Sequence, residues 1–205
     1  CEKSYFENVK HYLNDELDFS IIGSQYLDNE TYAPAGFFDS NLSLKDADHI
    51  KDLNLSKVDW VVGCSMLLNL KKFKSKSVFD ENFFLFFEEF DLCKFLKNNG
   101  EKVYSSSKLI VNHFGFKSST ELTDELDLIK LRNWHYMWSY FYYHKKNEGY
   151  LNALKVSFGK LARSFFKTIF FTMIFNKKKK INYLYRFLGL INSIIGKKSF
   201  FRINN

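Results

Sequence analysis

The chain has 205 residues, 26% of them charged and 19% aromatic, enough for one globular domain with a buried core plus an appendage but not for two full domains. Its three cysteines, Cys1, Cys64 and Cys93, are odd in number, widely spaced and without a CxxC pair, which argues against a disulfide framework and a zinc site. The net charge of +7 conceals a split: residues 151–205 hold 12 Lys/Arg and no Asp or Glu, which leaves 18 basic against 23 acidic residues in 1–150.

The residues present contain no cationic stretch followed by an apolar run and a small-residue cleavage site. The longest apolar run, Phe165–Phe175, is interrupted by Lys167 and falls short of the roughly 20 residues of a spanning helix, so no transmembrane span is expected. The chain starts at Cys1, and the expectation is a fragment whose N-terminus lies upstream. A reducing cytoplasm is the default compartment for such cysteine usage.

Tyr5, Val9 and Tyr12 recur at helical spacing, with Phe6 and Leu13 widening the stripe, and predict an amphipathic helix over residues 1–14. The apolar run within Asp18–Leu27, broken by Gly23, predicts a buried strand and the turn after it, and helix then strand favours an α/β layer arrangement. Residues 28–57 contain the single proline, Pro34, among many Asp, Asn and Ser, and predict a long surface loop with a short helix near Leu44–Leu53. Val58–Asn69 predicts a strand with Gly63 in its middle, where a missing side chain suits either a kink or the close approach of a ligand.

The densest stretch is Phe79–Gly100, FDENFFLFFEEFDLCKFLKNNG, in which Asp80, Glu81, Glu88, Glu89 and Asp91 stand among phenylalanines. A helix starting near Phe87 puts Glu89 on the core face with Leu92, Cys93 and Leu96. Glu88 and Asp91 then share a neighbouring face with Phe95, while Lys94 and Lys97 turn to solvent. A carboxylate in a first helical turn can project past the helix end into a cleft, where the helix dipole favours its charged form, and such an acid is a candidate general base. The plainer reading is that these acids only decorate a helix start, where Asp and Glu are common. Gly100 is a natural C-cap, and Lys102–Asn112 predicts a strand ending on His113. Three helices follow, Glu121–Lys145, Gly149–Phe175 and Asn182–Ile195, the first carrying a cluster of tryptophans and tyrosines.

Trp60, Gly63, Phe79, Asp80, Glu81, Phe83, Phe84, Glu88, Glu89, Asp91, Leu92, Gly100, His113 and Gly115 stand in the order of a known pattern. It comprises a Trp and small-residue strand, Phe-Asp-Glu, paired aromatics, an acid pair, Asp-Leu, a helix-ending Gly and a His after the next strand. In this order they resemble the acceptor-side half of a glycosyltransferase family 2 domain of the bacterial rhamnosyltransferase-like kind. The resemblance implies the C-terminal half of a GT-A (Rossmann-like) α/β domain over residues 1–120, followed by a basic, aromatic-rich helical tail over 121–205. It implies an inverting transferase that moves a sugar, rhamnose by association, from a nucleotide-sugar donor to a saccharide or lipid-linked acceptor in surface-polysaccharide assembly. In that reading Glu89 deprotonates the acceptor hydroxyl, Glu88 and Asp91 are the other catalytic candidates for the base, and Trp60, Gly63, Asp80, Glu81 and His113 contact substrate. A divalent metal, Mg or Mn, stabilises the leaving diphosphate, with His113 a possible contributor. The second acid of the pair is Asp in much of the family and Glu here.

The nucleotide-binding strands and Asp-x-Asp metal motif of the family would lie upstream of Cys1, so the isolated 205 residues are expected not to turn over. The implied location is the cytoplasm, peripheral on the inner face of the cell membrane, with residues 151–205 facing an anionic leaflet or packed on the catalytic domain. The alternative function classes are a nucleic-acid-binding module and a non-catalytic membrane-associated module, each using the basic tail. The acidic half speaks against the first, and no nucleic acid partner is expected.

Overall fold

A computed structural model describes residues 3–14, 17–28, 31–32, 35–39, 41, 47–73, 77–112 and 124–203. The chain forms two compact units. Cys1–Phe79 and Glu89–Gly115 make the first, and Asp80–Glu88 with Phe116–Asn205 make the second. The nine residues Asp80–Glu88 thus belong with the C-terminal helices rather than with the residues on either side of them.

The first unit is a mixed α/β layer structure. Helix α1 (Lys3–Asn14) precedes β1 (Ile21–Asp28), β2 (Thr31–Tyr32), β3 (His49–Ile50), β4 (Leu55–Val58) and β5 (Met66–Leu68). Helix α2 (Glu88–Asn98) and strand β6 (Val103–Asn112) follow. The strands form a six-stranded sheet of order β2-β1-β6-β4-β3, with β5 also paired to β1. Strands β1 and β6 run parallel, and the other pairings are antiparallel.

Alternation along the strands decides which helix each residue meets, because successive side chains of a strand point to opposite faces. Ile21, Val58 and Val103 join Leu92, Cys93 and Leu96 of α2 in one core cluster. Ile22, Leu55 and Tyr104 join Tyr12 of α1 in the other. The sheet therefore carries an apolar core on each face. Tyr12 is buried and donates its hydroxyl to the Leu53 carbonyl at 3.0 Å, and its oxygen lies 2.8 Å from Ser106 Oγ. Ser106 Oγ also accepts from the Lys108 and Leu109 amides, at the place where the β1–β6 register shifts between Ser24 and Gln25.

Several sequence expectations change here. Phe6 and Leu13 do not widen the buried stripe of α1, being 61% and 59% exposed. Gly23 does not end its strand. It lies inside β1, where an added Cβ would come within 2.4 Å of Val61 Cβ, so its role is close packing rather than turning. The expected short helix near Leu44–Leu53 is, in its described part, a β3–β4 hairpin closed by a 3-10 turn at Lys51–Leu53. Asn54, at φ 55°, supplies the left-handed residue that lets the chain reverse, a conformation Asn tolerates better than most. Gly63 is not in mid-strand: β4 stops at Val58 because Asp59 and Trp60 instead donate their amides to the Gly36 carbonyl. The helix-ending role of Gly100 agrees with the expectation. Its φ is 72°, its amide donates to Lys97 and the next amide donates back to Leu96, a left-handed helix stop.

In the second unit α3 (Glu125–Glu148), α4 (Tyr150–Met173) and α5 (Lys177–Ile194) pack on one another around Met137, Phe141, Ala153 and Leu190. Gly189 lets α5 lie directly on the α3 backbone, since a Cβ there would be 2.1 Å from the Trp134 carbonyl oxygen. Ser193 Oγ donates to the Trp138 carbonyl at 2.9 Å, in keeping with this close approach. Helix α5 starts five residues before the expected Asn182, because Asn176 caps it through the Lys179 amide at 3.0 Å. The run Lys177–Lys180 is consequently its first turn. Among the described residues no helix is long and apolar enough to cross a membrane.

Candidate active site

Helix α2 begins at Glu88, so Glu89 stands in its first turn, where unpaired backbone amides favour negative charge. Leu92, Cys93 and Leu96 are buried beneath it, as the helical period predicts. Glu89 is half-buried and lies against Gly63, where an added Cβ would be 3.4 Å from Glu89 Cβ and 3.5 Å from its carboxyl carbon. Gly63 itself is exposed, so no side chain at that position stands over the carboxylate, whose Oε2 is buried. The turn that presents Gly63 exists because β4 ends early, a break that the apolar pattern of Val58–Asn69 does not reveal.

Two thiols respond to the same carboxylate. Burial pushes Cys93 up to about 12, with the charges of Glu89 and Asp59 adding to it against a hydrogen bond to the Val61 backbone. Cys64, next to Gly63, is also raised by burial, with Glu89 again contributing. Both therefore stay protonated near neutrality. Nothing in the spacing of Cys64 and Cys93 signals this neighbourhood, because the two are brought to it by different elements.

Trp60 supports the corner from the other side. Its indole N–H donates to the Phe37 carbonyl at 3.0 Å and its ring leans on Phe90 at 5.0 Å between centroids. An added Cβ on Gly36 would touch the indole at 2.8 Å. Asp59, which no sequence pattern singles out, holds the same loop by accepting from the Phe38 amide at 2.9 Å and pairing with Lys97 of α2. Lys97 thus does not simply face solvent, and Lys94 lies 4.7 Å from the centre of the Phe38 ring.

Asp91 departs from its expected place. It is buried at 5% exposure, whereas Phe95, expected on the same face, is 59% exposed. The helical period does not say what covers a first turn, and here it covers Asp91. The structure thus gives Asp91 a position inside the unit, not one lining an opening.

The other acids of the stretch belong to the helical unit. Asp80 accepts from the Asn82 amide and side chain at 2.9 and 2.7 Å, from Lys146 at 2.7 Å and from Tyr142 at 3.1 Å. Burial alone would raise its pKa, but Lys146 and Asn82 outweigh it and hold the carboxyl at about 2. Glu81 is exposed in the following turn, and Glu88 Oε2 is buried without a hydrogen-bond partner among the described residues. The segment between them is fastened along α3. Phe83 meets Tyr142, Phe84 meets His135, the Leu85 carbonyl accepts from Ser139 at 2.7 Å, and Phe87 meets Tyr136, Tyr140 and Tyr143. Phe86 and Phe87 hold φ of 67° and 70°, a left-handed pair that bulky residues rarely adopt and that these ring contacts keep in place.

The structure therefore brings Glu89, Gly63 and Trp60 into one unit, with Asp91 buried in it, and assigns Asp80, Glu81 and Glu88 to the other. His113 and Gly115 lie outside the described residues. No group of three or more His, Cys, Asp or Glu among the described residues is placed to hold a metal ion. No protein-family model, curated protein or solved structure matches the chain.

Proposed function

We propose that the chain carries the acceptor-activating part of an inverting glycosyl transfer, with Glu89 as general base. The observation that carries the reading is the placement of Glu89 in the first turn of α2 against the bare, exposed Gly63. An acceptor hydroxyl seated over Gly63 gives its proton to the Glu89 carboxylate while its oxygen bonds to the anomeric carbon of the sugar. The bond to the nucleoside diphosphate breaks on the opposite face, and the diphosphate leaves with the electron pair. A base placed in this way contributes roughly 10²–10⁴ in rate.

The ordered resemblance to family 2 glycosyltransferases supports the same reading, as does the parallel β1–β6 pair with α2 packed on one face of the sheet, which suits a GT-A half. By that resemblance the donor is a nucleotide sugar, the acceptor a saccharide or lipid-linked saccharide, and the setting surface-polysaccharide assembly. A divalent metal, where the family uses one, supplies charge stabilisation to the leaving diphosphate, and the described residues furnish no set of ligands for it.

The test is nucleotide-sugar-dependent transfer measured on the complete gene product. Glu89→Gln should lower kcat by roughly 10²–10⁴ while the donor KM stays within a few-fold. Gly63→Val, which fills the flank of the carboxylate, should act chiefly on the acceptor KM. Activity of Glu89→Gln within about threefold of the parent would remove Glu89 from the role.

A further inference from the structure

Helix α4 is apolar on two sides. One side is buried, with Ala153 in the core of the helical unit and Ser157 and Ser164 packed inside it. The other is not covered: Phe158, Phe165, Phe166, Ile169, Phe170 and Met173 are all exposed, and they recur three, four and seven residues apart, which makes them a single stripe. The stripe runs into the turn after α4, where Phe175 is 94% exposed and held at φ 54°. A large side chain in a left-handed conformation with its ring in water is unfavourable twice over. Monomeric proteins seldom leave so many contiguous aromatic and aliphatic side chains uncovered without a partner for them.

Charge says which partner. Residues 151–205 contain no acid, and Lys155, Arg163, Lys167 and Lys177–Lys179 are exposed along the stripe and just beyond it. Lys178 reaches Glu125 at 2.6 Å, while Lys167 and Lys179 lie over the rings of Tyr183 and Phe171. Four lysines in the first turn of α5 oppose the helix dipole, a cost that anionic groups gathered there would offset. A second copy of the chain would bring two such basic surfaces together. A polynucleotide would neutralise the lysines and stack bases on the phenyl rings, but would leave the aliphatic Ile169, Met173 and Ile174 in water. An anionic bilayer surface meets both demands, with headgroup charge beside the lysines and hydrocarbon beneath the stripe.

We infer that α4 and the turn leading into α5 form a docking surface for an anionic lipid leaflet. Helix α4 lies along the bilayer plane with the Phe158–Met173 stripe in the headgroup–acyl boundary and Phe175 inserted at its end. This surface stands independently of the glycosyl-transfer reading, and either can fail without the other.

Flotation of the full chain with vesicles of phosphatidylcholine alone, or mixed with phosphatidylglycerol, tests it. The chain should float with the anionic vesicles only, and less as salt rises. Replacing Lys177–Lys180 by Gln should weaken partitioning on the order of a hundredfold. Phe166→Glu with Phe170→Glu should weaken it at least about tenfold. Both are exposed, so circular dichroism should show this variant folded like the parent. Phe175→Trp adds no charge and should give blue-shifted emission on anionic vesicles. Equal recovery on neutral vesicles, or no flotation, overturns the inference. So does flotation indifferent to the Phe166/Phe170 change, or emission from the Phe175→Trp variant that anionic vesicles leave unshifted. Light scattering that shows a dimer broken by the same double change, or polynucleotide capture without vesicle binding, assigns the surface to those partners instead.

Discussion

His135 makes the stability of the helical unit depend on pH in a defined window. It is wholly buried on α3, with Nε2 donating to the Phe201 carbonyl at 2.8 Å and Nδ1 3.0 Å from Ser199 Oγ. Since a carbonyl only accepts, the neutral ring carries its proton on Nε2, and Ser199 donates to Nδ1. Burial lowers its pKa from 6.5 to about 4, with Arg202 adding to the effect and the Phe201 bond opposing it. The folded value lies below the unfolded one, so the stabilisation is complete above pH 6.5 and fades as acid is added. Each pH step below 6.5 lets the unfolded chain take up a proton that the folded chain refuses, at about 1.4 kcal/mol per pH unit. The gap down to about 4 makes the total loss about 3 kcal/mol, a large part of a domain's stability. Denaturant melts of the parent and of His135→Gln between pH 8 and pH 4 read this directly. The difference between their unfolding free energies should shrink across that interval as the parent loses its advantage. Parallel curves from pH 6.5 to 4 would refute the burial argument.

Asp80 should act in a separate window. Its folded value of about 2 lies below the ordinary 3.8, so its contribution is present above that ordinary value and fades as pH falls toward 2. Asp80→Asn should therefore flatten the acid limb below about pH 4 in the same melts, leaving the His135 window unchanged. Gly189→Ala drives a methyl into the Trp134 carbonyl and should cost about 1–3 kcal/mol, read as a lowered Tm. Tyr12→Phe removes the hydroxyl that joins Leu53 and Ser106 and should cost about 1–2 kcal/mol in the sheet unit, read by urea midpoint.

Periodicity reached the buried faces of the helices. Tyr5, Val9 and Tyr12 on α1, and Leu92, Cys93 and Leu96 on α2, were legible because a continuous helix repeats its inward direction every 3.6 residues. Gly100 was legible as a helix stop because the left-handed conformation it adopts is a local matter. The two glycines read as strand interruptions exchanged roles for a reason that no local pattern holds. Gly23 stays within its strand because Val61 from another loop lies against it, and Gly63 leaves its strand because Asp59 and Trp60 bond to Gly36.

The candidate site divides along the same line. The order of residues was enough to establish that five acids stand among phenylalanines between Phe79 and Gly100, and that Glu89 faces the core side of its helix. Packing between distant segments decided that Asp80 is held by Lys146 and Tyr142, that Asp91 is buried, and that Glu89 lies against Gly63 beside two protonated thiols. Helical direction follows from backbone geometry within one turn, whereas which carboxylate meets a cation and which meets a bare glycine depends on residues far away in the chain.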